Sequence, residues 1–194
     1  MSISTPLFTG ERIRLASIDH EKDAEIESRW THDPAFMRMM YTEPMRPFSV
    51  FRVKKKYEAI EKNNDGLQNR FHYQIRARDD GRLLGFGELM RINWPHATGQ
   101  IQIGIGSPGD WRKGYGREAL SLLLRFAFNE INLHSLSANI PAYNLPAQAL
   151  FAQAGFKPDV CRREALARDG KRWNMYIFGV LADEWRDSAG EKQC

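Results

Sequence analysis

Apolar positions recur along this chain in two rhythms. Alternation at period two marks Arg12–Ile18, His72–Arg78, Arg82–Trp94, Gln100–Gly106, Ser135–Ile140, Val160–Ala167 and Arg172–Leu181 as strands. Helical spacing marks roughly 20–30, Ala35–Met40 and about 50–63, where Val50, Val53, Tyr57 and Ile60 share a face. Leu120, Leu123, Leu124, Ala127 and Phe128 predict another helix from Glu118 to about 131, and Ala149, Leu150, Phe151 and Ala154 predict one starting near Leu145. The punctuation agrees. Asp19, Ser49 and Asn144 are helix-capping residues, and Asp33-Pro34 puts proline at a first helical position. Asn63-Asn64-Asp65-Gly66 and Gly155 stop helices, and Asp79-Asp80-Gly81 and Asp169-Gly170 are hairpin turns. Glu43 to Pro47, with Met45, reads as a turn, and residues 1–9 as a short tail. The order is a strand, two helices, three antiparallel strands, helix, strand, helix and two strands. It predicts an α/β domain over 1–194 with a mixed, mostly antiparallel sheet flanked by helices.

Composition narrows the function classes. The 194 residues are 42% hydrophobic and 27% charged with a net charge of +4, as expected of a globular domain. There is no Lys/Arg block to indicate nucleic acid, no apolar run of ~20 residues to span a membrane, and no charged-then-apolar leader. The two cysteines, Cys161 and Cys194, are no disulfide framework and fit a reducing cytoplasm. No His/Cys spacing suits a metal.

The chemistry concentrates in Gln100–Ala119. A strand carrying Ile101, Ile103 and Ile105 runs through Ser107-Pro108-Gly109-Asp110 into Trp111-Arg112-Lys113-Gly114-Tyr115-Gly116-Arg117 and then into a helix. Glycines allow close backbone approach, the first helical N–H groups are unpaired, and three cations stand beside them. That combination is a seat for a phosphate or pyrophosphate. It matches neither G-x-G-x-x-G nor the P-loop.

Trp111-Arg112-Lys113-Gly114-Tyr115-Gly116 and Asn144-x-x-Ala147…Ala154-Gly155-Phe156, together with the order of elements, resemble the GNAT superfamily of N-acetyltransferases. Tryptophan in place of the usual Gln/Arg resembles the branch of ribosomal-protein N-terminal acetyltransferases and spermidine acetyltransferases. Gly10-Glu11-Arg12-Ile13-Arg14-Leu15, Trp30…Asp33-Pro34 and Arg163-Glu164…Asp169-Gly170-Lys171…Tyr176…Asp183-Glu184-Trp185 agree with it. The resemblance covers about 10–186. It implies a GNAT-like fold with a splayed strand pair, acetyl-CoA as co-substrate and an amine acceptor, and it admits a homodimer. By position it implies that backbone groups of Ile103, Gly104 and Ile105 pair with the pantetheine arm. The N–H groups of Arg112, Lys113, Gly114, Tyr115, Gly116 and Arg117 would hold the pyrophosphate, with Asn144, Ala147 and Phe151 beside the arm. Gly104 and Gly106 would permit a bulge that splays the strands.

Acetyl transfer needs a neutral amine, a polarised thioester carbonyl and a stabilised thiolate. Phe151 stands where many relatives carry a tyrosine acid and cannot donate a proton. Tyr143 is the first substitute, ahead of Cys161 and Ser137. Gln100 and Gln102 stand where some relatives have a glutamate base, so Glu88 is the best carboxylate. Its alternative is a surface residue paired with Arg76 or Arg91. His96, His134 and a relay of water are further candidates. Trp30, Met37, Met40, Tyr41, Phe48, Phe51, Tyr73 and Trp94 are expected on the acceptor side, with Glu25, Glu27, Asp33 and Glu43 as attractors of a cation. Polyamine, peptide and small-molecule acceptors stay open. So does another class of function, an acyl-CoA sensor or scaffold that has lost turnover.

Overall fold

The computed structural model describes residues 6–44, 46–62 and 69–190; the expected helix stop at 63–66, Met45, the first five residues and Cys194 lie outside them. The strands are β1 (Ile13–Ala16), β2 (Phe71–Ala77), β3 (Leu83–Asn93), β4 (Thr98–Ile105), β5 (Ser135–Pro141), β6 (Lys157–Arg168) and β7 (Lys171–Leu181). They form one seven-stranded sheet in the order β1-β2-β3-β4-β5-β7-β6. Every pairing is antiparallel except β4 with β5. The helices are α1 (Lys22–Trp30), α2 (Pro34–Met40), α3 (Val50–Lys62), α4 (Tyr115–Arg125), α5 (Leu145–Gln153) and α6 (Ala182–Gly190). Among the described residues no helix is long and apolar enough to cross a membrane.

Both faces of the sheet are used. The main core joins Ile13, Ile75, Leu89, Ile101, Leu136 and Phe178 to Leu120 and Leu123 of α4, Phe151 of α5 and Trp185 of α6. On the other face Trp30, Phe36 and Met37 of α1 and α2 enclose Leu83 and Phe86 of β3. Val53, Tyr57 and Ile60 of α3 pack with Ala24 of α1. Caps act where their residue types predict. Asp33 Oδ1 accepts from the N–H groups of Ala35 and Phe36, Ser49 Oγ from Arg52, and Asn144 Oδ1 from Ala147. Asp169 and Gly170 both have positive φ, 53° and 69°, as a two-residue hairpin turn requires.

The structure departs from the sequence reading at several places. All three helical segments marked between the first two strands form, one more than the order of elements counted. The last turn after α4 widens into a π-helical stretch over Phe126–Glu130, and α6 follows β7 without a break. The segment before β1 is not a loose tail: Phe8 packs against Tyr73 and Phe126, and its carbonyl accepts from Leu15 N–H at 2.8 Å. Gly104 and Gly106 mark no register shift between β3 and β4. They serve close approach instead. A Cβ on Gly104 would lie 2.8 Å from Met40 Cε, and one on Gly106 would run into the Trp30 indole.

The polar ties of the α1–α3 face are buried. Asp23 is 0% exposed, and Arg76 of β2 donates to both of its carboxylate oxygens at 2.7 Å. Glu27, also 0% exposed, accepts from Lys56 Nζ at 2.6 Å and from the Tyr57 hydroxyl at 2.7 Å.

Candidate functional site

The splayed pair is present. β4 and β5 share the register pairs Thr98–Ser135, Gly99–Leu136 and Gln100–Ser137, and then diverge. From Ile101 to Ile105 the edge of β4 that faces β5 has no strand beside it among the described residues, so its alternate N–H and C=O groups, the Ile105 carbonyl apart, border a cleft. The side chains of Ile101, Ile103 and Ile105 turn into the α4 core, while Gly104 faces Met40 of α2. Gln102 lies on the α2 side too, its amide 3.5 Å from the Met40 carbonyl.

The glycine-rich turn closes the wide end of that cleft. A Cβ on Gly116 would stand 3.7 Å from both Ile105 and Leu150, which puts the first turn of α4 between β4 and α5. Gly114 is the N-cap, with φ +88°, and no side chain caps the helix. Glu118 is the first residue of α4 whose N–H reaches a carbonyl, that of Gly114 at 3.1 Å. The preceding N–H groups of the turn therefore point outward at the positive end of the helix. Arg112 adopts φ +60°, and Arg112, Lys113, Gly114 and Arg117 are exposed.

The turn is braced from outside, which the sequence reading did not find. Trp111 Nε1 donates to the Ile105 carbonyl at 2.8 Å, locking the turn onto the end of β4. Arg82 grips Asp110 with two bonds of 2.7 and 2.9 Å, and that pairing holds the Asp110 carboxyl below its ordinary range. Arg12 Nη1 donates to the Lys113 carbonyl at 2.8 Å, and Arg12 N–H to Glu118 Oε1 at 3.0 Å. The Gly10-Glu11-Arg12 opening thus has a physical task, holding the loop from the far edge of the sheet.

On the α2 side a set of ties crosses the cleft. Asn144 Nδ2 donates to the Met39 carbonyl at 3.1 Å, joining the start of α5 to the end of α2. Arg168, at the tip of the β6–β7 hairpin, donates to the carbonyls of Arg38 and Tyr41 at 2.9 and 3.1 Å. Arg38 returns the contact with two bonds to Asp169.

Tyr143 sits between β5 and α5. Its ring meets Trp173 edge-on, and the Arg168 guanidinium lies 5.4 Å from its centroid. The hydroxyl is buried with no well-formed hydrogen bond among the described residues, and burial raises its pKa against the opposing influence of Arg168. Ala147 and Phe151 are on α5; Phe151 is buried against Phe156.

Glu88 is neither exposed nor tied to Arg76 or Arg91. It is 2% exposed, bonded to His72 Nδ1 and, at 2.7 Å, to Arg70. It pairs in register with Gln102 of β4. Burial alone would raise its pKa, but the hydrogen bond from His72 and the charges of His72 and Arg70 outweigh burial and hold it at about 2. A lowered folded value means stability that is fully present above the ordinary 4.5 and is lost as the pH falls toward about 2. In urea titrations from pH 7 to pH 3, Glu88→Gln should therefore be less stable than the parent at neutral pH, and the gap should narrow in acid. Parallel curves would show that the carboxylate is not held this way.

Not all of the expected acceptor wall is together. Trp30, Met37, Met40 and Tyr41 belong to the α1–α2 cluster, and Phe48 packs beside α3. Tyr73 and Trp94 belong to the α4 core on the opposite face, and Phe51 points to solvent at 66% exposure. Of the carboxylates offered as attractors, Glu27 is committed to Lys56 and Tyr57, Asp33 to the α2 cap, and Glu25 to Arg29.

The family model described as an acetyltransferase (GNAT) domain matches residues 12–157. The chain is 24% identical over 179 residues to YnaD of Bacillus subtilis, an uncharacterized N-acetyltransferase, covering 92% of this chain and 98% of that one. It is 29% identical over 121 residues to the spermidine N(1)-acetyltransferase of Vibrio cholerae, covering 62% and 65%. Among solved structures, the spermidine N-acetyltransferase of Vibrio cholerae in complex with CoA and spermine superposes with a TM-score of 0.77 at 20% identity, over 90% of this chain and 98% of the other.

Proposed function

We propose, starting from a chain that belongs to the GNAT acetyltransferase family and is therefore an acyltransferase, that it moves an acetyl group from acetyl-CoA to a primary amine. The observation that carries this reading is the conjunction of the β4–β5 cleft with the uncapped first turn of α4 at its wide end. The turn's outward N–H groups, with Arg112, Lys113 and Arg117, suit a pyrophosphate. The edge at Ile103, Gly104 and Ile105, where Trp111 takes only the Ile105 carbonyl, suits an amide-bearing arm that pairs as a strand would. Asn144, Ala147 and Phe151 would flank that arm. The Vibrio cholerae relative is solved with CoA, which supports the same assignment.

When bound, acetyl-CoA supplies an activated thioester. The protein's own part is placement and charge. An N–H near Ile105 is proposed to polarise the carbonyl. Tyr143 is proposed to give its proton to the departing thiolate; its raised pKa keeps that proton in place at neutral pH. Glu88, held at about 2, accepts a proton from an ammonium of ~8 to ~10.4 only steeply uphill. We assign it instead the role of a fixed negative charge beside Gln102, with the amine's proton leaving through water.

Tyr143→Phe separates chemistry from folding. Among the described residues its hydroxyl has at most the Arg168 guanidinium beside it, so the variant should lose little stability. Its kcat should fall about tenfold, below the ~10²–10⁴-fold usual for a general acid because a thiol of pKa ~8.5 is already a good leaving group. The KM for acetyl-CoA should hold. Unchanged kcat would remove Tyr143 from the mechanism.

The amine is best named by thiol release from acetyl-CoA over a panel: spermidine, the substrate in the relative's name, then peptides with free N-termini, amino acids and aminoglycosides. A single responding class would establish the acceptor. CoA binding without turnover on any of them would favour the sensor reading. The Vibrio cholerae spermidine acetyltransferase is described as a dodecamer, so we also propose that this chain self-associates, a homodimer being the smallest assembly to test by light scattering.

A further inference from the structure

A second cavity, of about 320 Å³, lies outside the cleft on the far side of α2. It is lined by His32, Met37, Arg38, Arg46, Pro47 and Arg168 among others, and among the described residues no carboxylate lines it. The charges around it do not cancel. Arg38 is neutralised by Asp169. Arg168 bonds to the carbonyls of Arg38, Tyr41 and Thr42, which hold its guanidinium in place and leave its charge uncompensated. Arg46 is exposed and enters no ion pair or hydrogen bond among the described residues. The nearby Asp33 carboxylate is spent on the N–H groups of Ala35 and Phe36. The floor is apolar, from Pro34, Met37 and Pro47. A concave site with a few convergent charged groups on an apolar base is the build of a small-molecule pocket, and guanidinium groups suit planar or tetrahedral oxyanions.

We propose that this cavity binds an anionic group, a carboxylate or a phosphate, between Arg46 and Arg168. The group sits on the back of the helix whose other side covers Gly104, and Arg168 also faces the Tyr143 ring. Occupancy there bears on the element that roofs the acceptor side.

The test is binding, so it does not depend on turnover. Inorganic phosphate and citrate are titrated separately by calorimetry and thermal shift into protein already saturated with CoA, so that the α4 turn is filled. Both should bind to the parent. Arg46→Glu should weaken them by about tenfold or more, and Arg46→Lys by less. Arg46 enters no ion pair or hydrogen bond among the described residues, so the variant should fold normally. Two sources of the anion are then told apart with acceptors found to be active. Phosphate that raises the KM of amines carrying a carboxylate, and not of plain amines, makes the group part of the acceptor. An equal effect on both makes it a free effector. Either result supports the site. No binding to the CoA-saturated parent, or equal binding by Arg46→Glu, overturns it.

Discussion

Asp23→Ala should lower the unfolding free energy by about 3–5 kcal/mol, the range for breaking a buried ion pair by removing one partner. Asp23 is 0% exposed, and its carboxylate takes two bonds from Arg76 and one, at 2.8 Å, from Asp19 N–H. Removing it leaves the Arg76 guanidinium, only 13% exposed, without its counter-charge against β2. It also frees the start of α1. In a chain of this size a loss of that order moves the melting temperature by roughly 6–20 °C. Urea unfolding of the parent, Asp23→Ala and the double variant Asp23→Ala/Arg76→Leu would check it. The double variant should recover much of the loss, because an apolar pair strands no charge. A single variant within about 1 kcal/mol of the parent would mean that the pair is not closed as described.

The second large effect concerns the donor. Gly114→Val should weaken CoA binding by at least about a hundredfold. Gly114 caps α4 at φ +88°, where a β-branched residue is strained by ~1–2 kcal/mol, and its Cβ would stand 3.2 Å from Arg12 Nη1, the group that braces the Lys113 carbonyl. Turning the cap out of that conformation re-aims the N–H groups behind it. Charge-assisted bonds of ~1.5–3 kcal/mol each are then lost, and two of them account for the hundredfold. Calorimetry with CoA reads the affinity, and a melting curve shows whether the rest of the fold is retained. A folded Gly114→Val that binds CoA like the parent would move the pyrophosphate elsewhere.

Much of this site was legible because its signals are local. Alternation around Ile101, Ile103 and Ile105, the glycines of 114 and 116, the Asn144 cap and the Asp169-Gly170 turn each act within a few residues. What was not legible depends on partners far apart in the chain. Arg76 and Arg91 were the alternative partners expected of Glu88, but the β2–β3 register sets Glu88 opposite His72 and Arg76 opposite Leu83, so it meets Arg70 and His72 instead. The same dependence on register put Tyr73 on the α4 face; a one-residue slip exchanges the two sides of a strand. Arg12 bracing a loop about a hundred residues away carries no mark in the sequence, nor does Arg168 tying down α2. The C-terminal helix was missed because, among the described residues, the apolar side chains it buries are Ala182 and Trp185, too short a pattern to set a period.

The brevity of the β4–β5 ladder has a consequence for the molecule as a whole. β1 to β4 form one continuous antiparallel block and β5, β7 and β6 another, and the backbone pairs joining them are those at Thr98, Gly99 and Gln100. The cleft is thus a seam between two halves made at different times in synthesis. A ligand whose amides bond to β4 while its phosphates sit on α4 and its flank rests on α5 stitches that seam. It binds the closed arrangement and not the parted one, so it strengthens the closed one by mass action. Slowed amide exchange along Ile101–Ile105 and Ser135–Pro141 together would be the sign of that stitch, with the outer strands β1 and β6 exchanging as before.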